Sequence, residues 1–195
     1  EGATADLTKV VTVGVPPNDP PSADFNVTPA SPKTLESVSF ESTSSDPDGT
    51  IVTYAWELDG DGDFNDHSGS SLSQVFPQSG TYTIALKVTD DDGDSAVKSK
   101  DVVVANRPPI SDFEFSPAAP QKNQTVDFTS LATDPENRIQ SQEWDLDGDN
   151  AYDDAFGPTA QKVFDSPGTK TVRLKVTDRD GGTHTASKSL TVASL

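Results

Sequence analysis

Gly80-Thr81-Tyr82-Thr83-Ile84-Ala85-Leu86-Lys87-Val88-Thr89-Asp90 is the stretch that decides the fold. Tyr82, Ile84, Leu86 and Val88 fall on one face, and Thr83, Ala85, Lys87 and Thr89 on the other. Period two with one polar face is the mark of a half-buried antiparallel strand. The run returns 88 positions later as Gly168–Asp178, where Val172, Leu174 and Val176 oppose Thr171, Arg173, Lys175 and Thr177.

The same spacing relates the flanking residues. Trp56 returns as Trp144, Val75-Phe76 as Val163-Phe164, Asp46-Pro47 as Asp134-Pro135, and Pro20-Pro21 as Pro108-Pro109. No insertion or deletion is needed, and a fixed period outranks other sequence signals. The chain therefore divides into units at 22–105 and 110–195, preceded by Pro-rich linkers at 16–21 and 106–109, which are semi-rigid. In residues 1–15, Val11-Thr12-Val13 aligns with Val102-Val103-Val104. This segment is expected to be the last strand of a preceding repeat or a free strand that pairs with a neighbour. Methionine is absent even at position 1, so a processed or excised segment is expected.

Within each unit, further alternating rows (Tyr54, Trp56 and Leu58; Val38 and Phe40; Phe25 and Val27; Val102 and Val104) are separated by turn signals. These are Ser45-Asp46-Pro47-Asp48-Gly49, Pro77-Gln78-Ser79-Gly80 and Asp90-Asp91-Asp92-Gly93. About seven short strands per unit predict an all-β chain of tandem immunoglobulin-like β-sandwiches. Trp56 and Trp144, each on the same face as a leucine two residues on, are expected in the core.

The net charge of −18 comes from 32 acidic and 14 basic residues. Such a surface disfavours nucleic acid and anionic membranes and attracts divalent cations. No apolar run reaches the ~20 residues needed to cross a bilayer. With no cysteine, disulfides and thiolate metal sites are excluded. His67 and His184 occupy non-equivalent repeat positions, so no histidine-based catalytic or zinc constellation is expected.

Each unit resembles a polycystic kidney disease (PKD) domain. The resemblance rests on Trp56-Glu57-Leu58-Asp59-Gly60-Asp61-Gly62 and Trp144-Asp145-Leu146-Asp147-Gly148-Asp149, on Val75-Phe76, and on the run Gly80–Asp90. It implies an immunoglobulin-like or fibronectin III-like sandwich, extracellular, often in arrays and often attached to secreted hydrolases or surface-layer proteins. Two departures stand out. Lys170 replaces the tyrosine expected after Gly168, which is expected to weaken the second core, and Glu57 replaces the usual aspartate.

The sharpest candidate site is the loop after each tryptophan strand. Asp59, Asp61, Asp63 and Asp66 in the first unit match Asp147, Asp149, Asp153 and Asp154 in the second. Carboxylates alternating with glycine suit a Ca2+ ion, which takes six to eight oxygens. The EF-hand pattern is not met, because Ser70 and Pro158 stand where its bidentate glutamate would be. Ala151 replaces Asp63, which predicts weaker binding in the second unit. The competing reading is a solvated acidic turn whose aspartates cap backbone N–H groups. A second acidic set comprises Asp46, Asp48, Asp90 and Asp92, with Asp134, Asp178 and Asp180. It lies at the end of the sandwich where the chain enters, and the first set lies where it leaves. Stacked units would bring the first unit's Asp59–Asp66 loop toward the second unit's Asp134 and Asp178 loops. Asn26-Val27-Thr28 and Asn123-Gln124-Thr125 are glycosylation sequons.

These features predict a non-catalytic, secreted or cell-surface structural or adhesion array stiffened by calcium. Its partners would be neighbouring repeats, other protein subunits or extracellular polysaccharide, without nucleic acid or membrane insertion. Two alternatives are an accessory substrate-binding module of a secreted hydrolase, and a filament or layer subunit joined through residues 1–15.

Overall fold

The computed structural model describes Gly14 and residues 16–194. The first unit contains β1 (Phe25–Thr28), β2 (Ser37–Ser42), β3 (Ile51–Glu57), β4 (His67–Ser68), β5 (Ser71–Val75), β6 (Gly80–Asp90) and β7 (Ser95–Val104). The second contains β8 (Phe113–Ser116), β9 (Thr125–Ser130), β10 (Ile139–Asp145), β11 (Ala155–Phe156), β12 (Thr159–Val163), β13 (Gly168–Asp178) and β14 (Thr183–Val192). Each unit packs a three-stranded sheet, β1-β2-β5 or β8-β9-β12, on a four-stranded one, β4-β3-β6-β7 or β11-β10-β13-β14. The pairing is antiparallel throughout both sheets. This is the expected pair of immunoglobulin-like sandwiches.

The core follows the alternation, except that Ala85, expected on the polar face, is also buried, at 5% exposure. Ile84, Leu86 and Val88 are fully buried on β6, as are Val172, Leu174 and Val176 on β13. Trp56 and Trp144 are 0% exposed. Trp56 packs edge-on against Phe25 at 5.1 Å, and Trp144 against Phe113 at 5.2 Å. A buried indole N–H needs an acceptor. Gly69 and Gly157 carbonyls accept it, both at 2.9 Å. The tryptophans are thus core residues and not exposed stacking platforms. Phe76 stacks on Tyr82 at 4.4 Å. In the second unit Lys170 takes the tyrosine's place, and its ammonium turns out to Ser166 Oγ, 2.9 Å away.

The β3–β4 and β1–β2 loops sit at the C-terminal end of the first sandwich, and the β2–β3 and β6–β7 loops at the N-terminal end. The placement of the two acidic sets at opposite ends therefore holds. The residue that reaches the second unit is different from the one expected. Thr34, in the β1–β2 loop, is 0% exposed and donates its hydroxyl to Glu136 in the second unit's β9–β10 loop. The β1–β2 loop is tied in turn to the end of β7, where Thr34 N donates to Ala105 O at 2.9 Å. The Asp59–Asp66 loop keeps its carboxylates solvent-exposed. The strand expected over residues 11–13 lies outside the described residues.

Candidate metal centres at both ends of each sandwich

The β3–β4 loop turns back on itself through Gly60 and Gly62, at φ +85° and +87°. In the β10–β11 loop Gly148 repeats the first of these, and Asn150 takes the second at φ +75°. Asparagine tolerates this left-handed conformation better than most residues. The turn also uses its own carboxylates. Asp59 Oδ1 accepts from Asp61 N at 3.1 Å, Asp61 Oδ1 from Asp63 N at 2.7 Å, and Asp66 Oδ2 from Leu58 N at 2.6 Å. This is the capping role that competes with metal binding. Asp154 acts like Asp66, accepting from Leu146 N at 2.6 Å and Asp147 N at 3.0 Å. Asp63, Asp66 and Asp153 are exposed.

The structure adds an acid that the spacing argument left out. Carboxylate oxygens of Glu57, Asp59 and Asp61 lie within 4.8 Å of one another, as do those of Asp145, Asp147 and Asp149. Glu57 and Asp145 are the buried members, at 7% and 0% exposure. The signal was present in the sequence: an acid follows the tryptophan in both repeats. In the second unit Arg173 Nη1 sits 2.7 Å from Asp145 Oδ2, and Lys162 Nζ 3.2 Å from Asp154 Oδ1. Their counterparts 88 positions earlier are Ala85 and Gln74. The first unit's loop therefore gathers three carboxylates where the second unit has an arginine and a lysine to neutralise them.

At the N-terminal end the sandwiches share a second constellation. Asp90 is 2% exposed and Asp178 1%. Asp90 Oδ1 accepts from Asp92 N and Asp94 N, at 3.1 and 2.8 Å, and Asp178 Oδ1 from Asp180 N and Gly182 N, at 2.9 and 2.7 Å. Asn18 Nδ2 lies 3.1 Å from Asp90 Oδ2, and Asn106 Nδ2 2.7 Å from Asp178 Oδ2. Burial pushes the Asp90 carboxyl up, but bonds from Asn18 and the Asp94, Gly93 and Asp92 backbone outweigh it and hold the group below its ordinary value. Asp134 Oδ1 accepts from Glu136 N and Arg138 N, at 3.1 and 2.8 Å. The other oxygen is the anomaly. Asp46 Oδ2 and Asp134 Oδ2, the same atom in the two repeats, are both buried without a hydrogen-bond partner, as are Asn18 Oδ1 and Glu136 Oε2. Buried polar atoms are nearly always satisfied, so the repeated exception marks these two carboxylates as candidate ligands.

Glycine at position 49 leaves room for this set. A methyl group there would lie 2.6 Å from Asp91 Oδ1 and 2.8 Å from Asp46 Oδ2. Asp91 supplies an oxygen here, and it also accepts from Thr50 N at 2.7 Å. Asp48 is occupied with Asp19 N, 3.2 Å away. Asp180 pairs with Arg138 at 3.2 Å. Asn18 and Asn106 were missed as site residues although they recur 88 positions apart, because an amide carries no charge signal. His184 Nδ1 accepts from Ser111 N at 2.9 Å, a structural role.

A model of the PKD domain matches residues 18–105 and again 106–193. The chain belongs to the PKD-domain family. The PKD units are 32% identical over 151 residues to the pre-pro-metalloprotease PrtV of Vibrio cholerae, a match covering 76% of this chain and 15% of that protein. They are 27% identical over 199 residues to the mouse dyslexia-associated protein KIAA0319-like protein, covering 91% of this chain and 18% of the relative. The chain thus spans under a fifth of the curated relatives it matches. Among solved structures, the PKD1 domain of Vibrio anguillarum Epp is 32% identical, covers 47% of this chain and all of that domain, and has a TM-score of 0.40. The PrtV PKD1 domain covers 45% of this chain at the same identity, with a TM-score of 0.38.

Proposed function

We propose that these PKD repeats are a non-catalytic structural or adhesion segment of a secreted or cell-surface protein, and that calcium stiffens them. The observation that carries calcium is the repeated orphan: Asp46 Oδ2 and Asp134 Oδ2 are buried without partners, in loops at the same end of each sandwich as the buried Asp90 and Asp178. All the donors are oxygens, from carboxylates and amides, the set that suits a hard cation such as calcium. A cation there would satisfy the orphans and offset the charge of the first unit (15 acids and 5 bases in 20–107, net −10) and of the second (14 and 8 in 108–195, net −6). Glu136 carries the effect to the neighbouring unit, because it shares the loop of Asp134 and accepts from Thr34. The Glu57, Asp59 and Asp61 group is a further candidate position, in the first unit.

Supporting the extracellular reading is the presence of matching domains within a pre-pro-metalloprotease. The same relative supports a second reading, an accessory module beside a catalytic domain. Calorimetric titration of the chain with calcium tests the metal assignment. Heat is expected, and Asp46→Asn with Asp134→Asn should remove most of it, because each amide keeps one oxygen but loses the charge. Unchanged heat in that double variant would move the metal to the β3–β4 loop. No heat in the parent chain would leave the carboxylates as capping groups.

A further inference from the structure

The two units differ on the outer face of the four-stranded sheet. Phe156, on β11, is 69% exposed. The first unit builds the same two-residue edge strand with Ser68, so the ring is not needed for the fold. Phe156 stands opposite Glu143 on β10, and Glu143 opposite Lys175 on β13. Neighbouring strands lie about 4.8 Å apart, which places the three in one row across the sheet. Lys175 Nζ is 2.8 Å from Glu143 Oε2 and 5.6 Å from the ring centre of Tyr152. In the first unit Ala55 stands in place of Glu143. Beside Phe156 opens a cleft of about 400 Å³ whose wall includes Gln140, Ser141, Gln142 and Pro158. No charged residue lines it, in a chain with 32 acids.

From this row and cleft we propose that the second unit carries a glycan-binding face, centred on Phe156, for an uncharged polysaccharide. The ring offers a flat π surface whose negative face attracts the C–H side of a pyranose. The exposed amide of Gln140 and the hydroxyl of Ser141, which donates to Glu143 Oε1 at 3.3 Å, are neutral groups that exchange hydrogen bonds with sugar hydroxyls. Glu143 and Lys175 neutralise each other and present a fixed acceptor and donor beside the ring. An anionic polymer is disfavoured by the net charge of −18. A few placed polar groups around an aromatic wall is the usual make-up of a small-ligand site. This face is separate from the candidate metal positions, so it stands or falls independently of calcium.

The test is native electrophoresis of the whole chain through gels containing hydroxyethylcellulose, glycol chitin or carboxymethylcellulose. At least one neutral polymer should retard the chain, and the anionic one should retard it less. Phe156→Ser, which installs the first unit's residue, should lower the association constant at least tenfold without changing the melting temperature. Should that variant melt lower, Phe156→Leu keeps an apolar side chain but removes the π face, and is expected to lose retardation equally. Val97→Ser, at an exposed position in the first unit, should change nothing. Lack of retardation by both neutral polymers, equal retardation of the Phe156 variants, or retardation by carboxymethylcellulose alone would each overturn the proposal. Retention on gelatin without retardation by the neutral polymers would instead indicate an extended peptide on the open edge of β10, and would also overturn it.

Discussion

Replacing Arg173 by alanine removes one of the two cations beside the second unit's β10–β11 loop and installs the first unit's residue, Ala85. Asp145 is 0% exposed, and its Oδ2 lies 2.7 Å from the guanidinium, whose side chain is 23% exposed. Asp145 also accepts from Gly148 N at 2.6 Å and Asn150 N at 3.1 Å, so the carboxylate stays where it is when the arginine goes. Removing one partner of a buried pair costs about 3–5 kcal/mol, because the remaining charge is left uncompensated. Partial exposure of Arg173 and two surviving hydrogen bonds place this case near the lower bound, about 3 kcal/mol. That is a large part of the ~5–15 kcal/mol of a small domain. Calcium should then recover stability that it does not supply to the parent loop, since Asp145, Asp147 and Asp149 already converge. At 100 times its dissociation constant a ligand restores about 2.7 kcal/mol. Urea denaturation of Arg173→Ala, with calcium and with chelator, measures both quantities. A loss under about 1 kcal/mol would mean the pair is not buried in effect. A full loss with no recovery in calcium would mean that three converging carboxylates do not make a cation site in this turn.

Trp56→Ala and Trp144→Ala should each cost about 3–5 kcal/mol and melt their own unit, seen as the loss of one calorimetric transition with the other retained. Adding calcium should narrow the distribution of maximum dimensions in small-angle scattering, and Glu136→Ala, which removes the Thr34 contact, should broaden it again. Asp24 and Asp112, hydrogen-bonded by Lys100 and Lys188, and Glu143, hydrogen-bonded by Lys175, are held below their ordinary values of 3.8 and 4.5. The unfolded chain therefore takes up these protons first as pH falls. Their contribution is complete above about pH 5 and is lost on acidification through the lowered values, as melting temperatures between pH 6 and 2.5 would report. Stability that rises steadily over that range would show that relief of the −18 charge outweighs these pairs.

The fold was legible in the sequence because a strand's side-chain period is two and the repeat displays every strand twice. Gly80–Asp90 and Gly168–Asp178 displayed their buried faces, Ala85 excepted, and an indole alternating with leucine at Trp56 and Trp144 could be assigned to the core. The acidic loops were equally visible, since charge and glycine spacing are local properties. Which oxygens meet was not local. Arg173 reaches Asp145 from the neighbouring strand, and Asn18 reaches Asp90 from the linker. Only strand register brings such groups together. The joint between the units was decided the same way. Charge pointed to the Asp59–Asp66 loop, but the loop tied back to β7 through Ala105 is the one that presents Thr34 to Glu136. Sequence separation holds no record of that, because it depends on where the sandwich ends and which loop projects furthest.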